Sequence, residues 1–374
     1  RAVVHLQAAY RAIEDKYQAL DGTLLSSEQD RPGPNLAFPY DEVRDFFHRI
    51  GNYVDPLDRQ GESVRAELQA DPAVLSDALI ERLAIRHNFK VDFDRSLSSE
   101  RALRRLDRSA RTVTIDGYAE RSSQTFALAH QLAMLEAGDK IAEIVRRAAF
   151  RSSDANAVCE IALANYFAGA VLLPYGDFLG AARRHRHDLS VLTQLFGASL
   201  EQVGHRLSTL QRPQAQGIPF YFLRVDRAGN ITKRHSATRL RFARYGGACP
   251  LWNVHEAFET PDRISVQIAE MPEGVRYLSL AQAITKAGMG HSAPRRRYAI
   301  GLGCELGDAG QVVYADDLDT TNPKQIALIG TSCRLCERED CTQRAFPPAG
   351  RSINVDHDNR FVVPYKLRTQ RSET

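Results

Sequence analysis

The fold of the first half of the chain is decided by the stretch Phe126-Ala127-Leu128-Ala129-His130-Gln131-Leu132-Ala133-Met134. Apart from His130 and Gln131 its residues are apolar, and the surrounding segment, 122–136, is rich in alanine. Alanine and leucine favour helix, and a helix that is apolar on most sides is buried. The stretch therefore predicts a buried helix that carries two polar side chains into the core. A second apolar, alanine-rich segment at 153–173 predicts another buried helix.

The polar pair on the first helix, His130 and Gln131, resembles the start of a metallopeptidase motif whose catalytic residues after His130 have been replaced. In H-E-x-x-H, two histidines one turn apart bind zinc and the glutamate is the general base. Here His130 is kept, while Gln131 replaces the glutamate and Met134 replaces the second histidine. Glu160, on the second helix, could have been the third ligand. The helix pair resembles the ImmA/IrrE type of metallopeptidase over roughly 80–210, although His130 could equally be an ordinary core histidine.

A cluster of cysteines near the end of the chain is the second chemical feature. Cys333, Cys336 and Cys341 have the spacing C-x2-C-x4-C. One tight loop can aim several thiolates of this spacing at a metal or an iron–sulfur cluster. Thiol redox chemistry and coincidence are the alternatives. Cys249 is the preferred fourth ligand because it precedes a predicted helix N-terminus, which favours the thiolate. Cys304, in a predicted strand, is the second candidate, followed by Cys159 or a nearby histidine.

Composition excludes several classes of protein. The chain has 374 residues, 43% of them hydrophobic and 25% charged, with a net charge of +3. This charge gives no overall electrostatic case for nucleic-acid binding, and the sequence shows no apolar run of the roughly 20 residues that a membrane helix needs. With no signal peptide in view, we expect a cytoplasmic protein with reduced thiols. The start at Arg1 suggests that an upstream segment is missing.

Three regions are predicted within an α+β fold. Residues 1–38 are expected to form a linker helix and a loop, residues 39–212 a mainly helical domain, and residues 213–374 a sheet domain. The helical domain should contain a strand at 88–94 and a hairpin at 103–116. Phe220–Asp226, rich in aromatic and aliphatic residues, predicts a strong strand. Further strands are predicted at Ile264–Ile268, Tyr277–Leu280, Arg297–Leu302 and Val312–Ala315, with a helix at Leu251–Phe258.

Three motifs, in order along the chain, resemble one family, the short-chain fatty acyl-CoA-responsive transcriptional regulators. They are the helix Phe126–Leu132, the segment Cys249-Pro-Leu-Trp-Asn-Val-His255, and the cysteine loop Gly330–Glu337 with Arg344-Ala-Phe-Pro-Pro348. The resemblance implies a degenerate peptidase-like domain followed by a GAF-like sheet domain. It also implies a regulator, not an enzyme, of propionate and fatty-acid catabolism genes (the methylcitrate cycle). DNA would be bound by a helix-turn-helix that this chain lacks, in a homodimer or larger homo-oligomer.

The resemblance further implies two ligands. One is a short-chain acyl-CoA such as propionyl-CoA, and the other is a [4Fe–4S] cluster on the cysteines, exposed enough to sense oxygen or nitric oxide. Phosphates of coenzyme A require cations, and the acyl arm requires an apolar channel with a few polar contacts. The side chains that we predict for these contacts are Arg104, Arg105, Arg121, His130, Gln131 and Tyr166. Two alternatives stay open: a zinc-stapled interaction module and an acyl-CoA hydrolase.

Overall fold

The structure is a computed structural model that describes residues 38–98, 100, 102–242, 247–286, 295–349 and 351–368. The helix and loop predicted over residues 1–37 lie outside this part of the chain. The first half of the described chain is mainly helical, with a small sheet. Its elements are α1 (Pro39–Arg49), α2 (Asp55–Leu68), α3 (Leu75–His87), β1 (Lys90–Asp94), β2 (Arg104–Asp107), β3 (Thr112–Asp116), α4 (Arg121–Glu136), α5 (Gly138–Ala148), α6 (Ser153–Leu172), α7 (Tyr175–Arg184), α8 (Leu189–Phe196) and α9 (Leu200–Leu207).

The small sheet confirms the strand and the hairpin that were predicted in the helical half. Its order is β1-β3-β2, with β1 parallel and β2 antiparallel to β3. Side chains alternate between the two faces of a strand. On β2, Arg104 is therefore partly buried while Arg105 is exposed.

Helix α6 is the centre of the helical half. Its N-terminus is capped by Ser152, whose hydroxyl accepts a hydrogen bond from the Ala155 amide at 3.1 Å. By length and composition alone α6 could also cross a membrane, but it packs between α2 and α4 and most of its apolar stretch is buried there. We therefore interpret α6 as a core helix, whose apolar character all round reflects burial.

The second half is built on a six-stranded sheet of order β5-β4-β8-β7-β6-β9, antiparallel except for the β6–β9 pair. Its strands are β4 (Phe220–Asp226), β5 (Ile231–Ser236), β6 (Ser265–Glu270), β7 (Arg276–Lys286), β8 (Arg296–Glu305) and β9 (Ile326–Leu328). A single helical turn, α10 (Asn253–Glu256), packs on this sheet, and β10 (Ile353–Asn354) pairs with β11 (Lys366–Leu367).

Two predictions for this half were wrong in detail. The strand predicted at Val312–Ala315 is a 3-10 turn, Val313–Ala315. It is held against the helical half by the Val313 amide, which donates to the Arg186 carbonyl at 2.9 Å, so its backbone is engaged there and not in the sheet. The helix predicted at Leu251–Phe258 is only the turn α10. The Leu251 carbonyl, which a longer helix would use internally, accepts a hydrogen bond from the Gln267 side chain of β6 at 2.9 Å.

Both faces of the large sheet are buried, which explains the uninterrupted apolar run in β4. Phe220 and Phe222 pack into the core of the helical half. Tyr221 and Leu223, which point the other way, pack in a second core with Trp252 and Cys249. The sheet is thus a shared layer between the helical half and the cysteine-bearing segments.

Candidate functional site

The remnant of the peptidase motif forms a small polar cluster inside the helical half. Gln131, on α4, is completely buried. Its side-chain carbonyl accepts a hydrogen bond from the Arg104 guanidinium of β2. Its Nε2 amide group is buried and has no hydrogen-bond partner among the residues that the structure describes. An unsatisfied buried donor is costly, so this amide needs an acceptor that the protein does not supply.

The same cluster carries one positive charge without a counterion. Burial lowers the pKa of Arg104, and no carboxylate among the described residues pairs with it. Burial, and then the nearby Arg104, lower the pKa of His130 to about 4, so this imidazole is neutral at pH 7. Glu160 makes no hydrogen bond or ion pair with His130 in the described chain. The cluster is therefore a cation, a free amide donor and a neutral imidazole, which is not a peptidase centre.

The structure does not bring the other predicted arginines to this cluster. Arg105 projects from the opposite face of β2 and pairs with Glu100. Arg121 is exposed at the start of α4, where its guanidinium donates to the Ala73 carbonyl at 2.6 Å. Both arginines therefore lie on the solvated surface and do not converge with Arg104 on one phosphate site.

Tyr166 belongs to a buried network that the sequence analysis missed. Its hydroxyl donates to Asp58 at 2.6 Å and accepts from the Val54 amide at 3.2 Å. Asp58 also binds Arg206, with 2.7 Å between Oδ2 and Nη1, and both side chains are almost fully buried. The network ties α2, α6 and α9 together, so the Tyr166 hydroxyl has structural partners. The one sequence signal for this network was the position of a charged residue, Asp58, on the side of α2 that is buried.

The second candidate site is a cavity lined by four cysteines: Cys249, Cys333, Cys336 and Cys341. Cys304 is not among them, because it points from β8 into the core of the helical half, where burial raises its thiol pKa to about 12. Burial also raises the thiol pKa of Cys249, while the Gly330 and Leu251 amides, which hydrogen-bond to the sulfur, lower it. The structure thus places Cys249, not Cys304, beside the C-x2-C-x4-C loop.

A hydrogen-bond network on the sheet fixes the segment after Cys249. The Trp252 indole and the Tyr221 hydroxyl both donate to the Ser279 hydroxyl, at 2.9 and 2.8 Å. Ser279 in turn donates to Asn253 at 3.0 Å, and Asn253 donates to two backbone carbonyls of the sheet. This network explains the motif Cys-Pro-Leu-Trp-Asn chemically: its polar side chains position the backbone that carries Cys249.

The cysteine cavity is small, and two arginines are part of its lining. Arg338 and Arg344 line it, donate to backbone carbonyls, and pair with no carboxylate among the described residues. A Cβ at Gly330 would lie 2.7 Å from the Cys336 sulfur, so only glycine fits there. The free space between the side chains is about 10 Å³, enough for about one water molecule.

The arrangement and the chemistry of the cavity lining bear differently on a metal centre. Within the described ranges, no three His, Cys, Asp or Glu side chains are arranged to hold a metal ion. The donor set itself, four thiols with no carboxylate or imidazole in the cavity lining, is the set that soft metals and iron–sulfur clusters prefer. Two unpaired arginines and amide donors to sulfur suit an anionic thiolate cluster. The residues therefore fit such a centre in chemistry, provided that the loop 333–341 moves outward to admit it.

Two family models match the chain, one in its helical half and one in its sheet half. Residues 85–208 match the IrrE N-terminal-like domain, and residues 209–365 match the C-terminal domain of the short-chain fatty acyl coenzyme A regulators. A propionyl-CoA carboxylase regulator of Cereibacter sphaeroides is 48% identical over 98% of this chain and 77% of its own length. The chain belongs to the short-chain fatty acyl coenzyme A regulator family.

Other members of the family give the same result. The HTH-type transcriptional regulators RamB and PrpR of Mycobacterium tuberculosis are both 39% identical over 98% of the chain, covering 77% and 75% of their own lengths. A solved structure of a Mycobacterium tuberculosis transcriptional regulator, 40% identical, superposes with a TM-score of 0.83 over 88% of this chain and 99% of that one. The predicted α+β fold, an IrrE-like domain followed by a sheet domain, is confirmed.

Membership of this family assigns the chain to transcriptional regulators of short-chain acyl-CoA or propionate metabolism. Both candidate sites lie within the matched domains. The cluster of Arg104, His130 and Gln131 falls in the IrrE-like domain. The four cysteines fall in the domain that defines the regulator family.

Proposed function

We propose that this region of the regulator binds a short-chain acyl-CoA through the cluster of Arg104, His130 and Gln131. The observation that carries the proposal is the completely buried Gln131 amide, which lacks an acceptor beside a cation that lacks a counterion. A bound ligand that supplies acceptor oxygens satisfies the Gln131 amide and gives the Arg104 guanidinium a hydrogen-bond partner. His130 stays neutral at pH 7 because of its pKa of about 4, so it adds a polar contact without adding charge.

The test is isothermal titration calorimetry of the wild type and of Gln131→Glu with propionyl-CoA. The substitution keeps the size of the side chain but replaces the orphaned donor with an acceptor that pairs with Arg104. We expect the affinity to fall at least tenfold, about 1.4 kcal/mol. Gln194→Glu, which adds the same charge at an exposed position of α8, is the control and should bind normally. Equal affinity of the wild type and Gln131→Glu would remove the cluster from the binding site.

We further propose that Cys249, Cys333, Cys336 and Cys341 hold a [4Fe–4S] cluster. The support is the thiol-only donor set, the two unpaired arginines and the amide donors to the Cys249 sulfur. The Tyr365 hydroxyl, buried without a partner, adds an unused donor, and Cys333 and Cys341 contribute to raising its pKa after burial. When bound, such a cluster supplies one-electron redox chemistry and reactivity towards oxygen or nitric oxide.

Iron and sulfide assays on protein purified without oxygen test this proposal. The cluster predicts about four irons per chain and a broad absorption band near ~400 nm. Cys249→Ser should abolish both, whereas the matched substitution Cys304→Ser should leave both unchanged, since Cys304 faces the other core. Colourless protein with one zinc per chain would instead establish the zinc-stapled module.

We propose that the regulator couples these ligands to DNA in the cytoplasm, through a helix-turn-helix and as a homodimer or larger homo-oligomer. The support is family membership, since relatives are named HTH-type regulators and the chain matches 77% of their length. Gel-shift titration of the full-length regulator, with and without propionyl-CoA and before and after exposure to oxygen, tests the coupling. An operator affinity that neither treatment changes would contradict it, because a ligand shifts a conformation only by binding its states unequally.

A further inference from the structure

The polar cluster at Gln131 also indicates which chemical group of the ligand it receives, an inference that rests on the acyl-CoA binding proposed above. Two neighbouring donors are available to that group, the Arg104 guanidinium and the Gln131 amide. They differ in what they require. The amide requires only an acceptor oxygen, while the guanidinium, partly buried and without a carboxylate partner, also requires a negative charge.

Three groups of an acyl-CoA could meet these donors, and their charges separate them. A phosphate or pyrophosphate carries more charge than one guanidinium neutralises, and no second cation contacts Gln131 in the described chain. A thioester carbonyl satisfies the amide but leaves Arg104 without a counterion. A carboxylate carries one charge and two acceptor oxygens, which matches one guanidinium and one amide in both respects.

The surroundings favour a carboxylate for a second reason. Gln131 is completely buried, and the α4 residues Leu128 and Leu132 beside it belong to the hydrophobic core. A monovalent anion can be held there by one charged partner, whereas phosphate would keep much of its water. His130, neutral at pH 7, neither repels a carboxylate nor adds a charge that would call for a second anion.

We infer that the cluster of Arg104 and Gln131 recognises a carboxylate at the end of the acyl group, so that the effector is a dicarboxylic acyl-CoA. The guanidinium forms the ion pair, and the Gln131 amide donates to a carboxylate oxygen. The class of reaction that supplies such a ligand is carboxylation of a short-chain acyl-CoA. The regulator would then sense the product of a carboxylation in preference to its substrate.

The experiment compares ligand pairs that differ by one carboxylate on the same carbon: propionyl-CoA against methylmalonyl-CoA, and acetyl-CoA against malonyl-CoA. Calorimetric titration of the wild type should show at least a tenfold preference for the carboxylated member of each pair. Arg104→Gln should reduce that preference to within about twofold. Gln131→Glu should reverse it, because its own carboxylate repels that of the ligand.

The outcomes separate this inference from the proposal on which it rests. If propionyl-CoA binds as tightly as methylmalonyl-CoA, or more tightly, the carboxylate inference is wrong and acyl-CoA binding stands. If none of the four thioesters binds, both fail. A preference that survives in Arg104→Gln would also overturn the inference, since another cation would then be responsible. The wild-type comparison needs no substitution, so misfolding of a variant cannot obscure the answer.

Discussion

The buried ion pair between Asp58 and Arg206 offers a quantitative test of the helical core. Asp58 accepts hydrogen bonds from the Tyr166 hydroxyl at 2.6 Å, from Arg206 at 2.7 and 3.2 Å, and from Arg212 at 3.1 Å. Asp58→Asn keeps the shape but removes the charge, and it turns one acceptor into a donor that faces other donors. Because Arg206 is almost fully buried, the substitution leaves an uncompensated charge inside the domain.

Breaking a buried pair in this way costs about 3–5 kcal/mol of unfolding free energy. The loss of two hydrogen bonds to charged donors, at about 1.5–3 kcal/mol each, gives a similar figure. Urea unfolding followed by far-ultraviolet circular dichroism reports on the helices. Asp77→Asn, at a position whose side chain is 75% exposed, is the matched control and should change stability by less than about 0.5 kcal/mol.

The pH dependence gives an independent check. Burial alone would raise the pKa of Asp58, but Arg206 and the Tyr166 hydroxyl outweigh it and hold the pKa below its ordinary value. A carboxyl whose folded pKa is lowered stabilises the fold above its unfolded pKa of about 4, and this contribution is lost as the pH falls further. Asp58→Asn should therefore flatten the acid limb of the stability curve. A loss below 1 kcal/mol at pH 7, with an unchanged acid limb, would refute the reasoning.

Three further predictions concern the sites. Tyr166→Phe should lower the unfolding free energy by about 1–2 kcal/mol but leave propionyl-CoA affinity unchanged in calorimetry; weakened binding would return Tyr166 to the ligand site. The pKa of His130 is about 4 in the folded protein and about 6.5 in the unfolded chain, so the free energy of unfolding should fall as the pH drops from 6.5 to 4. Measured by urea unfolding, this fall should be smaller in His130→Gln. An equal fall in the two proteins would show that His130 is not neutral in the fold. Ser279→Ala strands the Trp252 and Tyr221 donors; it should cost about 2–4 kcal/mol and reduce iron retention, and full retention would separate the network from the cysteine site.

The sequence located the polar helix and the cysteine loop because both signals are local. A helix shows its period within a few turns, and C-x2-C-x4-C needs only one loop. The hairpin at 103–116 was also predictable, but the face on which each arginine lies was not. A shift of one residue exchanges the two faces of a strand, so Arg104 and Arg105 could be distinguished only when the packing of β2 was known.

Contacts between distant segments account for what the sequence did not show. Asp58 and Arg206 lie 148 residues apart, and each reads as an ordinary charged residue of an amphipathic helix. Similarly, the choice between Cys249 and Cys304 depends on which face of β8 packs on the helical half. The Val312–Ala315 segment has the β-branched and aromatic residues of a strand, yet its backbone binds the chain near Arg186. None of these outcomes leaves a periodic signal.

The two candidate sites are connected through the six-stranded sheet, since they lie on opposite sides of it. On the helical side, Gln202 of α9 donates to the Ser122 carbonyl at the start of α4. Its neighbour Glu201 accepts from Arg224, Lys233 and Lys286, which belong to three different strands. On the other side, Tyr221 of β4 joins the network that positions the Cys249 segment.

A displacement of α4 or α9 on ligand binding would therefore act on the sheet through these hydrogen bonds and ion pairs. The sheet is too closely packed for its strands to stay in place when the helices shift. At Gly303 of β8, a Cβ would lie 2.4 Å from the Leu278 carbonyl oxygen and 2.5 Å from the Tyr221 ring. Packing this close transmits small shifts instead of dissipating them. A ligand that moves the helical half should consequently alter the geometry around Cys249. Coupling between two binding sites is reciprocal: if acyl-CoA changes the affinity of the cysteines for their ligand by some factor, that ligand should change the acyl-CoA affinity by the same factor.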